Sequence, residues 1–343
     1  MMTSEQPLVS IVILTYDNRA FIVECLQCAI DQTYHSLEII VVDQASGDGT
    51  RDLVRQDFPQ VRLIQNDRNT GFAAGMNRGI CASTGEYVFL LNSDFFLEPA
   101  FVSNAVEQFR TIADDRLGML ASIVYKYCDG ERTTEVDCLG FLLLPYHTVV
   151  SSEKLDALEW VLGPAGSAMF LRRAMLEDVR LPTGDYLDST YFCYGEDIEL
   201  ALRAQVLGWR CLYVPVVAGW HIGSASADMQ TRYHKRPYSL RVHALKNRYL
   251  TLLTCYPLCL LLWTLPWNVL CDAGQIVAYI VTCRWDSLRC LLDAYRSVAC
   301  LLPKMLAKRR WVQERRRVSC AYLRSLFAKQ GVLRILQSLR QKI

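Results

Sequence analysis

The chain has 343 residues, 52% of them hydrophobic, with 37 Lys+Arg against 35 Asp+Glu and a net charge of +2. That length suggests about two domains and a sizeable core. The near-neutral balance argues against a dedicated nucleic-acid binder. The 14 cysteines are scattered, with no repeated C-x-x-C pair and no metal-ligand spacing. Met1–Ser10 lacks a basic n-region and does not read as a signal peptide, so a reduced, cytoplasmic home is expected.

In chain order, Val9–Thr15 is a Val/Ile run short enough for a buried strand, and Asn18–Gln32 has helical spacing. Glu38–Asp43 reads as a second strand, and Asp48 as an N-cap for a helix at Gly49–Asp57. Val61–Gln65 is a short third strand, Gly75–Ser83 a helix, and Tyr87–Leu91 a fourth strand. Such alternation predicts a doubly wound, mostly parallel α/β sheet. Ligands on these sheets bind at the carboxyl ends of strands, where Tyr16, Asp43 and Asn92–Asp94 lie. Leu117 to about Ser226 is less regular, and no internal repeat is evident.

Several segments carry chemistry. Asn69-Thr-Gly-Phe-Ala-Ala-Gly-Met-Asn-Arg-Gly79 spaces three glycines and two asparagines at a helix start, a pattern suited to a diphosphate. Asp43 reads as a turn aspartate or a ligand of a ribose or base edge, and Asp94 as a solvated loop acid or a hard-cation ligand. Glu196 and Asp197 open a strong helix, as dipole-favoured acids or as catalytic ones. Glu199 and Arg203 are spaced i,i+4, as expected for a surface pair. His221 stands alone after a valine run, and it gains weight only beside a metal site.

Together, Ser10–Tyr16, Val42–Thr50, Asn69–Gly79, Leu91–Asp94, Tyr194–Asp197 and His221, in this order over residues 8–226, resemble a family 2 glycosyltransferase of the GT-A fold. The Asn-x-Gly-Phe-Ala-x-Gly-x-Asn-x-Gly form is most similar to bacterial rhamnosyltransferase-like members. The resemblance implies a nucleotide-diphosphate sugar donor, with dTDP-rhamnose as the first choice, bound by Thr15, Tyr16, Asp43, Asn69, Gly71, Phe72, Gly75, Asn77, Asn92, Ser93 and Gly166. It implies Mg²⁺ or Mn²⁺ on Asp94 and His221, Asp197 as general base with Glu196 beside it, and inversion in a single displacement. The Asp-x-Asp slot of the family reads Asn92-Ser93-Asp94, leaving one carboxylate.

Tyr249–Cys271 and Ala273–Cys283 are uncharged, and both flanks, Arg232–Arg248 and Arg284–Arg317, are basic. Pro257 and Pro266, together with the positive-inside tendency, argue against a simple span. A re-entrant or interfacial hairpin on an anionic membrane surface is expected, with amphipathic Trp285–Leu302 in the interface. A buried hairpin, at a homodimer interface for example, is the alternative. The expected organisation is a transferase domain over 1–230 and a membrane-associating helical region over 231–343. The expected acceptor is a lipid-linked glycan in cell-surface polysaccharide biosynthesis, at the cytoplasmic face of the bacterial inner membrane, peripheral or monotopic. Competing readings are a sugar nucleotidyltransferase, although Leu14–Asn18 has no glycine, a dinucleotide oxidoreductase, although G-x-G-x-x-G is absent, and an inactive membrane scaffold.

Overall fold

The computed structural model describes residues 6–144, 149–151, 156–223 and 237–328. The first half alternates as expected: β1 (Val9–Thr15), α1 (Arg19–Ile30), β2 (Leu37–Asp43), α2 (Thr50–Asp57), β3 (Arg62–Gln65), α3 (Phe72–Ala82) and β4 (Tyr87–Asn92). These strands pair in parallel in the order β4-β1-β2-β3. Their two-residue period divides the core into two layers. Val12, Ile40, Val42, Val88 and Leu90 pack toward α3. Ile11, Ile13, Val41, Phe89 and Leu91 pack toward α1. Both faces are covered, so the strands read as unbroken apolar runs.

The stretch expected to be irregular supplies much of the sheet. After β5 (Phe95–Leu97) and α4 (Phe101–Thr111), it runs through β6 (Leu117–Cys128), β7 (Glu131–Cys138), β8 (Phe141–Leu143), β9 (Val149–Ser151), β10 (Glu159–Val161), β11 (Ala168–Arg172), α5 (Arg173–Val179), α6 (Glu196–Val206) and β12 (Arg210–His221). The strand order β10-β12-β6-β11-β4 continues the sheet, with β11 antiparallel to both β4 and β6 and β12 parallel to β6. Pairing of Ala168 with Leu91 sets Gly166 and Ser167 beside Asn92, whose N–H donates to the Ser167 carbonyl at 3.0 Å. The β12–β5 pairing brings His221 opposite Phe95, one residue from Asp94.

The chain then forms α7 (Tyr238–Cys255), α8 (Leu258–Val281), α9 (Trp285–Glu314) and α10 (Cys320–Ser325). Pro257 breaks the chain between α7 and α8, whereas Pro266 lies inside α8. Leu252, Tyr256, Leu260, Val312 and Phe327 share one core with α5, α6 and the sheet. Cys259 and Cys320 form a disulfide, a departure from the reduced thiols expected, and the other cysteines are not disulfide-bonded. No helix among the described residues is long and apolar enough to cross a membrane. The boundary expected at residue 230 lies outside the described residues.

One sequence expectation is overturned. Glu199 and Arg203 are not on the surface, since both side chains are fully buried and paired at 2.8 Å. Lys308 of α9 reaches the same Glu199 carboxylate at 2.8 Å and also pairs with Asp188. Arg203 donates to the Tyr186 and Val179 carbonyls. Helical spacing shows that two charges can meet but not which face of the helix is covered.

Candidate active site

The carboxyl ends of β1, β2 and β4 converge, tied by short side-chain bonds. Asn18 Nδ2 donates to Ser93 Oγ at 2.6 Å. The Gly47 N–H donates to Asp17 at 2.7 Å, and the Asp17 N–H to Ser46 Oγ at 3.0 Å. Asp48 accepts from the Thr50 N–H and from its hydroxyl, with Gly49 between them in a left-handed conformation. Tyr16 is exposed at this end, while the Thr15 hydroxyl is buried without a hydrogen-bond partner.

Asp94 and His221 lie together, Oδ1 to Nε2 at 3.4 Å. The other ring nitrogen, Nδ1, lies 3.2 Å from Asp137 Oδ2, and Asn92 Nδ2 lies 3.4 Å from Nε2. Burial opposes charging this ring, but the Asp137 and Asp94 carboxylates outweigh it and raise its pKa to about 9. Asp137, on β7, went unnoticed in the sequence because no motif surrounds it. A metal-ligating histidine commonly has its second nitrogen fixed by a carboxylate, which is the place Asp137 takes. No group of three His, Cys, Asp or Glu among the described residues could hold a metal. Asp94 and His221 are therefore too few to hold a metal alone, and a divalent cation there would need further ligands from outside the protein.

Glu196 and Asp197 open α6 behind a run of left-handed backbone at Phe192, Tyr194 and Gly195. Burial raises the Asp197 pKa, opposed by backbone donors that include the Ile198 and Gly166 N–H groups. Gly166 packs so closely on this carboxylate that a Cβ there would collide with Asp197 Oδ2. Glu196 is more deeply buried, with Oε2 unpartnered, and burial plus the adjacent Asp197 charge push its pKa well above the carboxylate range. Asp197 is thus the more accessible acid, and Glu196 is the one whose charged form is the more strongly disfavoured.

The Asn69–Gly79 segment has a different place from the diphosphate cradle expected. The Gly71 N–H donates to Asn69 Oδ1 at 2.9 Å, and the Ala73 N–H to the Phe192 carbonyl at 3.3 Å, so those donors of α3 are already used. A Cβ at Gly75 would strike Gln44 and Leu14, and one at Gly79 would strike Val12. These glycines let α3 lie close on the sheet. Gly71, at φ +87°, abuts Phe192 instead. Phe72, partly buried, begins α3 and packs against the core on the α3 side of the sheet. Asn77 is buried: its amide donates to the Leu187 carbonyl at 2.7 Å, and its oxygen accepts from the Tyr186 and Leu187 N–H groups. It holds the 186–189 segment rather than facing a ligand. Asp43 is likewise fully buried, and it accepts from Arg51 Nε at 3.0 Å. Arg51, which is partly exposed, is the group presented there.

A sheet of this order, with an Asp–His pair at one strand end and an acidic helix start beside it, can be compared with known proteins. The model of glycosyl transferase family 2 matches residues 10–179. Residues 10–179 belong to glycosyl transferase family 2. The chain is similar to the succinoglycan biosynthesis protein ExoO of Rhizobium meliloti, at 35% identity over 217 residues covering 61% of this chain and 59% of ExoO. It is also similar to chondroitin synthase of Escherichia coli, at 36% identity over 107 residues, which are 30% of this chain and 16% of that protein. The chain thus spans a minor part of one relative and under two thirds of the other. The mannosyltransferase PcManGT from Pyrobaculum calidifontis, solved with GDP-Man and Mn²⁺, shares the fold, with a TM-score of 0.51, 18% identity and coverage of 94% of this chain and 86% of that one. The glycosyltransferase therefore has a GT-A-like mixed sheet followed by helices.

Proposed function

We infer that this family 2 glycosyltransferase moves a sugar, with inversion, from a nucleoside-diphosphate sugar to a hydroxyl of a growing surface polysaccharide. The observation that carries the reading is the convergence of Asp94, His221, Gly166 and Asp197 at adjoining strand ends. The acceptor hydroxyl has a high pKa, so a base must take its proton as it attacks. Asp197 does this, held by the Gly166 and Ile198 N–H groups. Neutral Glu196 adds no second charge beside it. When bound, a divalent cation neutralises charge on the leaving diphosphate, and Asp94 and His221 would hold it, with His221 oriented by Asp137. Exposed Tyr16 and partly exposed Arg51 face the nucleotide, and Asn92 and Ser93 brace the Asp94 turn.

The polysaccharide reading draws on the succinoglycan and chondroitin relatives. We read the acceptor as lipid-linked, presented at the cytoplasmic face of a bacterial inner membrane. Among donors, dTDP-rhamnose stands first because of the Asn69–Gly79 pattern. Thermal-shift screening of nucleotide sugars with and without Mn²⁺ tests the reading, since a ligand at about 100 times its Kd stabilises by about 2.7 kcal/mol. Stabilisation by one nucleotide sugar, strengthened by Mn²⁺ and lost in Asp94→Ala, is expected. Indifference to every nucleotide sugar sinks the reading.

A further inference from the structure

Helix α8 is built inside out. Its buried stripe runs Leu260, Thr264, Asn268, Asp272, Gln275 and Tyr279, spaced three or four apart and mostly polar. Asp272 sits inside at 2% exposure, taking Arg248 at 2.6 Å and the Tyr295 hydroxyl at 2.6 Å, with the Tyr249 hydroxyl as a third donor. The outward face is apolar: Leu262, Trp267, Val269, Leu270, Val277 and Val281, with Leu270 64% and Val281 76% exposed. Asp272 is the one formally charged residue of the helix, so none lies on the outer face. A helix facing water shows the opposite arrangement. An exposed contiguous apolar face of this kind marks an interaction site.

The neighbouring helix identifies what covers it. On α9 the exposed residues Trp285, Arg289, Leu292 and Arg296 follow helical spacing, mixing apolar groups with guanidiniums. The acids of that region are occupied, Asp286 by Arg241 and Asp293 by Arg296 and the Tyr238 hydroxyl. Arg324 lies over the Trp263 ring at 4.9 Å. Tryptophans and arginines bordering an uncharged apolar face match the headgroup layer, where long basic side chains reach phosphate while their stems stay in the apolar layer.

We propose that the outer face of α8 lies in the plane of a membrane, immersed in the acyl boundary of an anionic phospholipid leaflet, with Arg289 and Arg296 of α9 on lipid phosphates. This deepens the membrane part of the proposed function and is independent of the donor and of the chemistry. The test is flotation of the full chain with phosphatidylcholine vesicles, with and without phosphatidylglycerol, beside light scattering in vesicle-free buffer. The wild type is expected to float with the anionic vesicles, and Leu270→Glu/Val277→Glu to remain in solution. Arg289→Gln/Arg296→Gln is expected to lower partitioning by about 30-fold, from roughly one fivefold step per basic residue near the surface. Both double variants should keep the donor-induced thermal shift, which shows that they fold and separates this inference from the sugar-transfer reading. Three results overturn it: no flotation of the wild type, unchanged flotation of Leu270→Glu/Val277→Glu, or a vesicle-free dimer that those substitutions dissociate.

Discussion

The side-chain amide of Asn247 donates to the Tyr194 carbonyl at 2.6 Å, joining helix α7 to the turn that precedes Glu196 and Asp197. The same amide nitrogen reaches the Tyr191 and Cys193 carbonyls, each at 2.9 Å. The turn needs such restraint, because Phe192 and Tyr194 are non-glycine residues in left-handed backbone. Lys246, one residue earlier, donates to the Thr190 carbonyl at 2.7 Å.

Asn247→Ala is therefore expected to lower kcat by about 10- to 100-fold, the effect of a misplaced reacting group. The donor KM should change far less, because Asp94, in the β4–β5 turn, and His221, at the end of β12, lie outside the 191–195 turn that Asn247 holds. Steady-state kinetics with varied donor separates the two. Equal losses in kcat and in donor affinity would mean that the turn does more than aim the base.

Asp197→Asn should remove transfer by about 10²- to 10⁴-fold with donor binding retained. The wild-type rate should fall as pH drops through a pKa above the ordinary aspartate range, since the base works ionised and its pKa is raised. Gly166→Ala, which pushes a methyl into that carboxylate, is expected to slow turnover while Tm changes little. A pH–rate profile of Asp197→Asn that keeps the acidic limb would assign the base elsewhere.

Glu196 gives a stability test of opposite sign. Its folded pKa is raised, so unfolding releases a proton above the unfolded value near 4.5, and stability declines as pH rises from there. Glu196→Gln keeps the neutral shape and should therefore melt higher than the wild type at neutral pH. A lower Tm for that variant contradicts the neutral assignment.

Asp188 behaves the other way. Burial opposes its charge, but Lys308 holds the carboxyl down at about 2. It contributes about 2 kcal/mol above its unfolded value near 3.8, and this is lost as pH falls from there through 2. Lys308→Met leaves Asp188 and Glu199 with one cation fewer and should cost about 3 kcal/mol at neutral pH. Denaturant melts at several pH values measure both.

Asp137→Asn should weaken the response to Mn²⁺ by about 10- to 100-fold while excess metal restores activity, as expected when a histidine loses the partner that orients it. Activity that ignores Mn²⁺ in both proteins would remove the metal from His221.

Those residues divide according to what local sequence can say. Val9–Thr15, Leu37–Asp43 and Tyr87–Asn92 were legible because burial on both faces turns each strand into an apolar run. Asp94, Asp197 and His221 were legible from family motifs, and Gly166 from its place among them. Asp137 was invisible because only β-pairing carries it to His221. Glu199 and Arg203 were misread as exposed because their partners are distant in sequence: Lys308 pairs with Glu199, and the Val179 and Tyr186 carbonyls receive Arg203. The glycines of α3 matched a ligand-binding pattern but meet Val12 and Gln44, since close helix–sheet packing selects the same residue. In α8, composition marked an apolar segment, but only the packed neighbours show that its polar residues face inward.

Lys308 and Asn247 also bear on how this protein can be divided. Helix α9, which holds Arg289 and Arg296 of the proposed lipid-facing surface, also carries Lys308, and α7 carries Asn247, so the C-terminal region is no detachable anchor. Trimming the chain after the family motifs to make a tractable soluble fragment would remove the supports of Glu199, Asp188 and the 191–195 turn together. Such a fragment should be slow or unfolded even though each motif residue is present, and detergent or nanodisc preparations of the whole chain are the sounder material.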